Sequence, residues 1–508
     1  MLRAQYRCAS AQVHWWVAPR VLHVATVVSA ALLGLTSAAS AQSRPNHEGK
    51  MALFGTLHAH SELSGDVSTS KGLTPKECYD HARENGLDFL GISDHHKPTG
   101  APGGSKYNLS ASEYQQIVDA AEEANTSHAG SFVAFAGIEW GTIATGNHVN
   151  IFGAGSLPPN SIKDTEYEEL HTWILNNAQF AQWNHPYSWG KKSNRNKNVG
   201  NFGRALYSST SDFVSEVDAA AQLMSIICTV KGGHISGEHK DSTDKTHREV
   251  HSDALREYRK HLDMGFRLSP SANQDTHGKN PGSVTAARTG VWADSFTANG
   301  IAEAMKANRV FATEDDELAV AILVEYGGAT YWMGETVPLL IDEAEVTLTI
   351  HVSQATGSDG DSTDEGPYWA TVFSDSDGIG GAKAAEWETY LLDADTSDFT
   401  VTLPVVSGEY IYLEISEQGG SDNPVGDGED EFMADGSEGA DGHRDDLNDS
   451  AWTSPIWFSS GSVLTAYVWS RNSDLYHDPS CWVVPRIGLA NRREGPAPNG
   501  RTRHSCHP

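Results

Sequence analysis

Nine side chains have the chemistry of metal ligands and stand at spacings that let them converge. His58 and His60 are two apart in Leu57-His58-Ala59-His60. In an extended strand, residues i and i+2 share a face, so both imidazoles can reach one ion. Asp66 lies six residues after His60, beyond a Ser64-Gly65 turn that can fold it back. His95 closes Ser93-Asp94-His95, and Glu139 follows the apolar run 132–138. His148 ends Gly146-Asn147-His148, and His185 sits in Asn184-His185-Pro186. Asp275 and His277 are again two apart. This mixture of nitrogen and carboxylate donors suits zinc, manganese or iron. A single such histidine is more often structural, so it is the recurrence that carries weight.

The segments between these residues read as the elements that would position them. Thr74-Pro75-Lys76-Glu77 is a capping box with proline at the first helical position. A helix follows to Asn85, Gly86 ends it, and Leu87–Ile92 is a buried strand with Asp94 and His95 at its end. The runs 132–138, 178–183 and 266–272 repeat the pattern, each followed by candidate ligands. Alternating strand and helix over residues 46–316 predicts an α/β fold of repeated βα units. In α/β barrels the C-terminal strand ends carry the chemistry.

These motifs resemble the PHP (polymerase and histidinol phosphatase) metallohydrolase superfamily, and within it the CehA/McbA-type enzymes. The carriers are Leu57-His58-Ala59-His60-Ser61 with Gly65-Asp66, Gly86 to His95, Gly137-Ile138-Glu139-Trp140 with Gly146-Asn147-His148, Trp183-Asn184-His185-Pro186, and Gln274-Asp275-Thr276-His277. They span residues 52–316. The resemblance implies a distorted (βα)7 PHP-type barrel holding two to three divalent ions. It places His58, His60, Glu139 and Asp275 on one ion. Glu139 would bridge to a second, held with His148 and His185, and Asp66, His95 and His277 would hold a third. Asp66 stands where some members use histidine. The implied chemistry is hydrolysis by an activated water, at phosphorus or at a carbonyl carbon, without a covalent enzyme intermediate.

Other groups are candidates for the same cleft. Arg288 follows Asp275 and His277 closely enough to grip a phosphate, or else is a surface charge. His96 is a possible proton donor or a solvated neighbour. Lys191, Lys192, Arg195 and Lys197 form a basic patch that could steer an anionic substrate. Residues 231–251, with His234, His239, His247 and His251, read as an insertion near the mouth.

The 508-residue chain carries 36 basic and 67 acidic residues, a net charge of −31. That balance speaks against a stable nucleic-acid complex and for a small phosphoester or ester substrate. With 39% apolar and 20% charged residues, global disorder is excluded. Arg3, Arg7 and Arg20 precede the apolar run Val21–Leu35 and the small-residue site Ala39-Ser40-Ala41. This is the order of a secretory signal over residues 1–41, with a signal anchor as the alternative. A secreted or periplasmic mature protein without a membrane span is expected. Four cysteines outside this leader are too few for a disulfide scaffold, though Cys481 and Cys506 could close a tail loop.

The second half reads differently. Leu318–Tyr326, Ala344–Val352, Tyr368–Phe373, Phe399–Val405 and Glu409–Ile415 look like strands of a small antiparallel β-sandwich over 318–470. Its acidic stretches, Ser358–Glu365 and Glu417–Asp449, are read as solvated loops rather than calcium sites. Trp452 and Trp457 are read as core of a last strand. Residues 471–508 turn basic and are expected to be disordered. The sequence therefore points first to a secreted metal-dependent phosphoesterase. An amide, carbamate or carboxylester hydrolase on the same metals is the second reading, and an envelope binding module with an inert barrel the third.

Overall fold

The computed structural model describes residues 44–97, 107–142, 147–163, 167–184, 223–228, 258–284, 287–354, 368–375, 384–391, 398–417 and 450–460, except 69, 71, 316 and 342, with residue 255 and short strands between 467 and 503. All belong to the compact unit Gln42–Pro508. The chain enters through a hairpin. β1 (Asn46–His47) and β2 (Lys50–Ala59) are joined by Glu48 and Gly49, both at positive φ (49° and 76°). That backbone twist matches the twist of the flanking strands.

Two βαβ units follow. β2, α1 (Pro75–Glu84), β3 (Phe89–His96), α2 (Ala111–Ser127) and β4 (Val133–Thr142) place three strands in parallel. α1 opens on the capping box expected at Thr74 and Glu77, and α2 on a second one, Ser110 with Glu113. α2 buries Tyr114, Ile117, Ala121 and Ala124, one stripe at helical spacing.

The simple βα repeat ends at β5 (Asn147–Phe152), which runs antiparallel to β4. The reason is length. A parallel return needs a crossover of about a dozen residues, and only the residues between Thr142 and Asn147 are available. α3 (Tyr167–Asn177) leads to β6 (Phe180–Trp183), antiparallel to β5, after which β7 (Leu223–Cys228) and β8 (Ser269–Asn273) are parallel again. β9 (Arg288–Ala293) returns antiparallel to β2, and α4 (Ala298–Lys306) and β10 (Val310–Thr313) follow. The result is a large mixed α/β sheet rather than uniform βα units.

The strands expected after residue 318 fall within β11 (Leu318–Tyr326), β14 (Glu343–Gln354), β15 (Tyr368–Asp375), β17 (Asp398–Val406) and β18 (Tyr410–Glu417). Between and beyond them lie β12 (Ala329–Trp332), β13 (Thr336–Leu339), β16 (Ala384–Leu391), β19 (Ser450–Thr453) and β20 (Ile456–Ser460). They divide between two sheets. β12-β11-β14-β17 is a four-stranded antiparallel sheet, whereas β13, β15, β16, β18, β19 and β20 extend the large sheet through the β19–β10 pair. One apolar cluster joins Ile322, Leu348 and Leu403 of the small sheet to Ile411 and Leu413, and to Ala52, Phe54, Trp292 and Phe311 of β2, β9 and β10.

Trp452 and Trp457 are buried on β19 and β20, as core residues. A few residues of the basic tail are described. β21 (Tyr467–Ser470), β22 (Leu475–His477), β23 (Arg492–Gly495) and β24 (Thr502–Arg503) form a small sheet, with Arg492 and Arg493 paired to Ser470 and Trp469. Tyr467, Val468, Trp469, Leu475 and Tyr476 supply the β-forming side chains that the count of arginines hides. The leader 1–41, the basic patch at Lys191–Lys197, the 231–251 insertion, both acidic stretches except Glu417, and Cys481 and Cys506 lie outside the described residues. Among the described residues no helix is long and apolar enough to cross a membrane.

Candidate metal centre

β2 delivers the first pair. His58 and His60 are both buried, their ring centroids are 5.2 Å apart, and each Nε2 lies 3.0 Å from Asp275 Oδ1. Asp275 follows β8 with φ 46°, a left-handed conformation that aspartate tolerates better than most residues. The two segments are knitted together. His60 N donates to Thr276 O at 2.8 Å, and Leu57 N to Asn273 Oδ1 at 2.7 Å.

Glu139 stands at the middle of the cluster, on β4 directly opposite His95 of β3. Its two oxygens face different histidines. Oε1 lies 2.7 Å from His148 Nδ1 and 3.3 Å from His58 Nε2. Oε2 lies 2.9 Å from His95 Nδ1 and 3.6 Å from His60 Nε2. His95 and His277 then meet Asp66, whose Oδ2 is 2.9 Å from the Nε2 atom of each. Three sets of donors are therefore close enough to enclose an ion: His58, His60 and Glu139; His95, Glu139 and His148; and His60, Asp66, His95 and His277. The chain thus brings together eight of the nine expected ligands. The ninth, His185, lies outside the described residues. The sets overlap more than the sequence implied, because His60 and His95 each belong to two.

Burial and neighbours set the proton affinities. Burial resists charge on His58, yet Asp275 and Glu139 beside it raise its pKa. His95, likewise buried, is held well above the ordinary imidazole range by Glu139 and Asp66. His277 is raised to about 9 against its burial, through its bond to Asp66 and the charge on Asp275. His60 goes the other way, to about 3, through burial and the charge on His277, whose ring lies 4.1 Å away. Burial would raise the carboxylates, but the surrounding imidazoles hold Glu139, Asp275 and Asp66 far below their usual range.

The donor chemistry fits divalent cations. Anionic oxygens and imidazole nitrogens share the same small volume, and protons on the histidines do the work a cation would do. Among the described residues, the ion partners of Asp66 and Asp275 are all imidazoles. Such ligands release their protons when a metal binds.

Several supporting residues carried no signal of their own in the sequence. Ser64 Oγ donates to Asp66 Oδ1 at 2.7 Å and accepts from His95 N at 3.3 Å. That leaves it to accept from His60 Nδ1 at 3.2 Å, so that His60 Nε2, 3.0 Å from Asp275 Oδ1 and 3.6 Å from Glu139 Oε2, would be the nitrogen offered to an ion. Asn184 Nδ2 donates to Glu139 Oε1 at 3.2 Å and to Asn150. Gln182 donates to Asn184 at 2.8 Å and accepts from Ser271 and Asn273. Asp94 accepts from Ser61 N at 2.6 Å and from Ser61 Oγ.

The candidate proton donor, His96, and the candidate phosphate grip, Arg288, are placed differently. His96 follows His95 on β3, and successive strand residues face opposite sides, so it looks away from the cluster. Burial alone lowers its pKa to about 4, with no ionised ligand acting on it. Arg288 is the first residue of β9, buried, with Nη1 donating to Ala287 O at 3.0 Å.

No family model matches the sequence, and no curated protein does. Among solved structures, the chain is similar to a two-domain protein from Bacteroides vulgatus containing a predicted PHP-like metal-dependent phosphoesterase, at 14% identity over 73% of this chain and 92% of that one, with a TM-score of 0.37. It is similar to PsfC from Pseudomonas syringae, at 14% identity over 50% and 86% of the two chains, with a TM-score of 0.30. A third likeness is to endonuclease Q in complex with a 27-mer duplex bearing an abasic lesion, at 14% identity over 50% and 57%, with a TM-score of 0.29. At these scores the likenesses are loose, and a functional reading rests on the site itself.

Proposed function

We propose that this chain is a secreted, metal-dependent phosphoesterase of the PHP type, CehA/McbA-like, acting on a small phosphoester. The observation that carries the reading is Glu139, a buried carboxylate whose two oxygens each face a different group of histidines. The parallel runs β2-β3-β4 and β6-β7-β8, with the Ala59–Thr276 bridge bringing the end of β8 back to β2, support a distorted barrel. Residues 1–41 support export.

Two to three zinc, manganese or iron ions would be held by the donor sets around His58, His60, Asp66, His95, Glu139, His148, Asp275 and His277, with His185 as a further ligand. When bound, such ions lower the pKa of coordinated water from 15.7 to about 7. The chain's own part is positional. Glu139 spans two donor sets, Ser64 fixes the His60 tautomer, and Asn184, itself bonded to Asn150 and Gln182, holds Glu139. Arg288 is the proposed grip on the substrate phosphate. His96 takes no part.

The test pairs elemental analysis of purified protein with hydrolysis of bis-p-nitrophenyl phosphate, with and without chelator. Two to three metal equivalents and chelator-sensitive turnover are expected. Glu139→Gln should lose metal from two donor sets at once and reduce kcat at least about 100-fold, the scale of removing one preorganised electrostatic contact from a catalytic site. Metal without phosphodiester turnover would move the reading to amides, carbamates or carboxylesters. A chain that takes up no metal after reconstitution would leave the binding-module reading.

A further inference from the structure

A second group of metal-ligand side chains lies outside the cleft. His47 of β1, His351 of β14 and Asp398 of β17 bring one donor atom each within 4.8 Å of one another. His351 and Asp398 are direct cross-strand partners, and His351 Nδ1 is 2.6 Å from Asp398 Oδ1. His47 comes from the entry hairpin and stacks on His351 with centroids 3.9 Å apart, its Nδ1 4.0 Å from the same Asp398 oxygen.

Three features go beyond a chance meeting. His47 Nε2 is buried without a hydrogen-bond partner, and its Nδ1 is too far from Asp398 for a bond, so neither nitrogen has a bond to give up. The two separations to Asp398 Oδ1, 2.6 and 4.0 Å, bracket the roughly 3.3 Å between ligand atoms of a tetrahedral zinc with bonds near 2.0 Å. The imidazoles are walled by Trp292, with centroids 6.2 and 5.7 Å away, and by Trp332, 5.6 Å from His47, while Asp398 opens toward solvent. Apolar walls with one open side exclude competing water and leave one position for it. The proton that His351 Nδ1 donates to Asp398 Oδ1 is released when the ion binds.

We infer that His47, His351 and Asp398 form a mononuclear site for a zinc-type cation, with water as the fourth ligand, clamping the entry hairpin onto the small sheet. Closing it needs a rotation of the His47 ring off its stack, and it exchanges the short His351–Asp398 hydrogen bond for two metal–ligand bonds. The site is independent of the cleft and of what the cleft catalyses. It joins the first segment of the described chain to strands some 300 residues later in sequence, so it fastens β1 and β2 where β2 begins its run to His58.

The test uses the full chain and the metal alone. Wild type, His47→Gln and Asp398→Asn are loaded with excess zinc, desalted and assayed for bound metal, with circular dichroism to show that all three are folded. Wild type should hold one zinc equivalent more than either variant, whatever the cleft holds. In a parallel cobalt(II) titration of metal-free protein, a step of tryptophan quenching should be present in wild type and lost in His47→Gln, because Trp292 and Trp332 flank the site. Equal zinc in the three proteins, or quenching unchanged by His47→Gln, would overturn the assignment and leave an ordinary His–Asp contact.

Discussion

Asp94 makes no hydrogen bond to any of the described converging donors, yet its carboxylate holds Ser61, the residue that follows His60. Asp94 is fully buried and accepts from both the backbone and the hydroxyl of Ser61. Burial pushes its carboxyl up to about 6 despite those bonds. Asp94→Asn keeps the size but replaces one acceptor with a donor, so one contact to Ser61 becomes donor against donor. Outer partners of this kind typically change metal affinity 10- to 100-fold when altered. The expected outcome is a loss on that scale in chelator competition, with turnover restored by excess metal. Wild-type affinity in the variant would show the Ser61 latch to be idle. This is also where reading by residue type stops. The converging donors stood out because pairs at i and i+2, His58 with His60 and Asp275 with His277, are rare on otherwise apolar strands. Their supports follow the same rule, Asn150 after His148 and Gln182 before Asn184, but an amide alone has too many ordinary uses to stand out. Ser64 was legible only as part of a turn.

At the scale of the element, α3 carries an acid-sensitive joint. It buries Tyr167, Leu170, His171 and Ile174, and His171 lies against the rings of Tyr167 and Trp183 with no hydrogen bond to either nitrogen. Burial lowers its pKa to about 3. The unfolded chain therefore binds a proton near the ordinary pKa of about 6.5 that the folded chain refuses. Stability from this group is complete above about pH 6.5 and falls as the pH drops toward 3, by up to about 1.4 kcal/mol per unit. His171→Leu loses no hydrogen bond and is expected to lessen the difference between denaturant midpoints at pH 7.5 and pH 5. An unchanged difference would mean that water hydrates the imidazole and that it titrates normally. Helix starts were the most legible elements, since a capping box is a local device and Thr74 announced α1 without help from the rest of the chain. Strand direction was not. The strands up to β4 alternate with helices as expected, but the β4–β5 reversal depends on how little chain separates Thr142 from Asn147. The entry hairpin was hidden because Asn46-His47-Glu48-Gly49 has no hydrophobic alternation to mark it.

At the scale of the whole molecule, the change of composition after residue 316 does not coincide with a break in the sheet. β19 pairs along β10 from Phe311 to Thr313, and Ser454 N and Oγ both donate to Val310 O. Trp292 of β9 donates its indole N–H to Val320 O of β11 at 2.9 Å. Its ring shares a cluster with Phe54, Phe311, Ile322 and Leu348. A chain ending at residue 316 would keep every described ligand, since the last of them is His277. It would also expose Phe54, Trp292 and Phe311 and leave the β10 edge unpaired. Each large apolar side chain stripped of its cover forfeits about 1.5–3 kcal/mol, and three or four such losses rival the 5–15 kcal/mol stability of a whole domain. An open, flat, apolar strand edge adds a template for aggregation. The fragment 42–316 is therefore expected to be insoluble or to lack fixed tertiary packing, with its near-ultraviolet circular dichroism lost and metal bound weakly. The counter-result is a monodisperse fragment with the metal content of the full chain. In that case β11 to β20 would only cover an α/β unit that folds by itself. If the fragment fails as expected, the antiparallel half is part of the scaffold on which β2 carries His58 and His60 to Glu139.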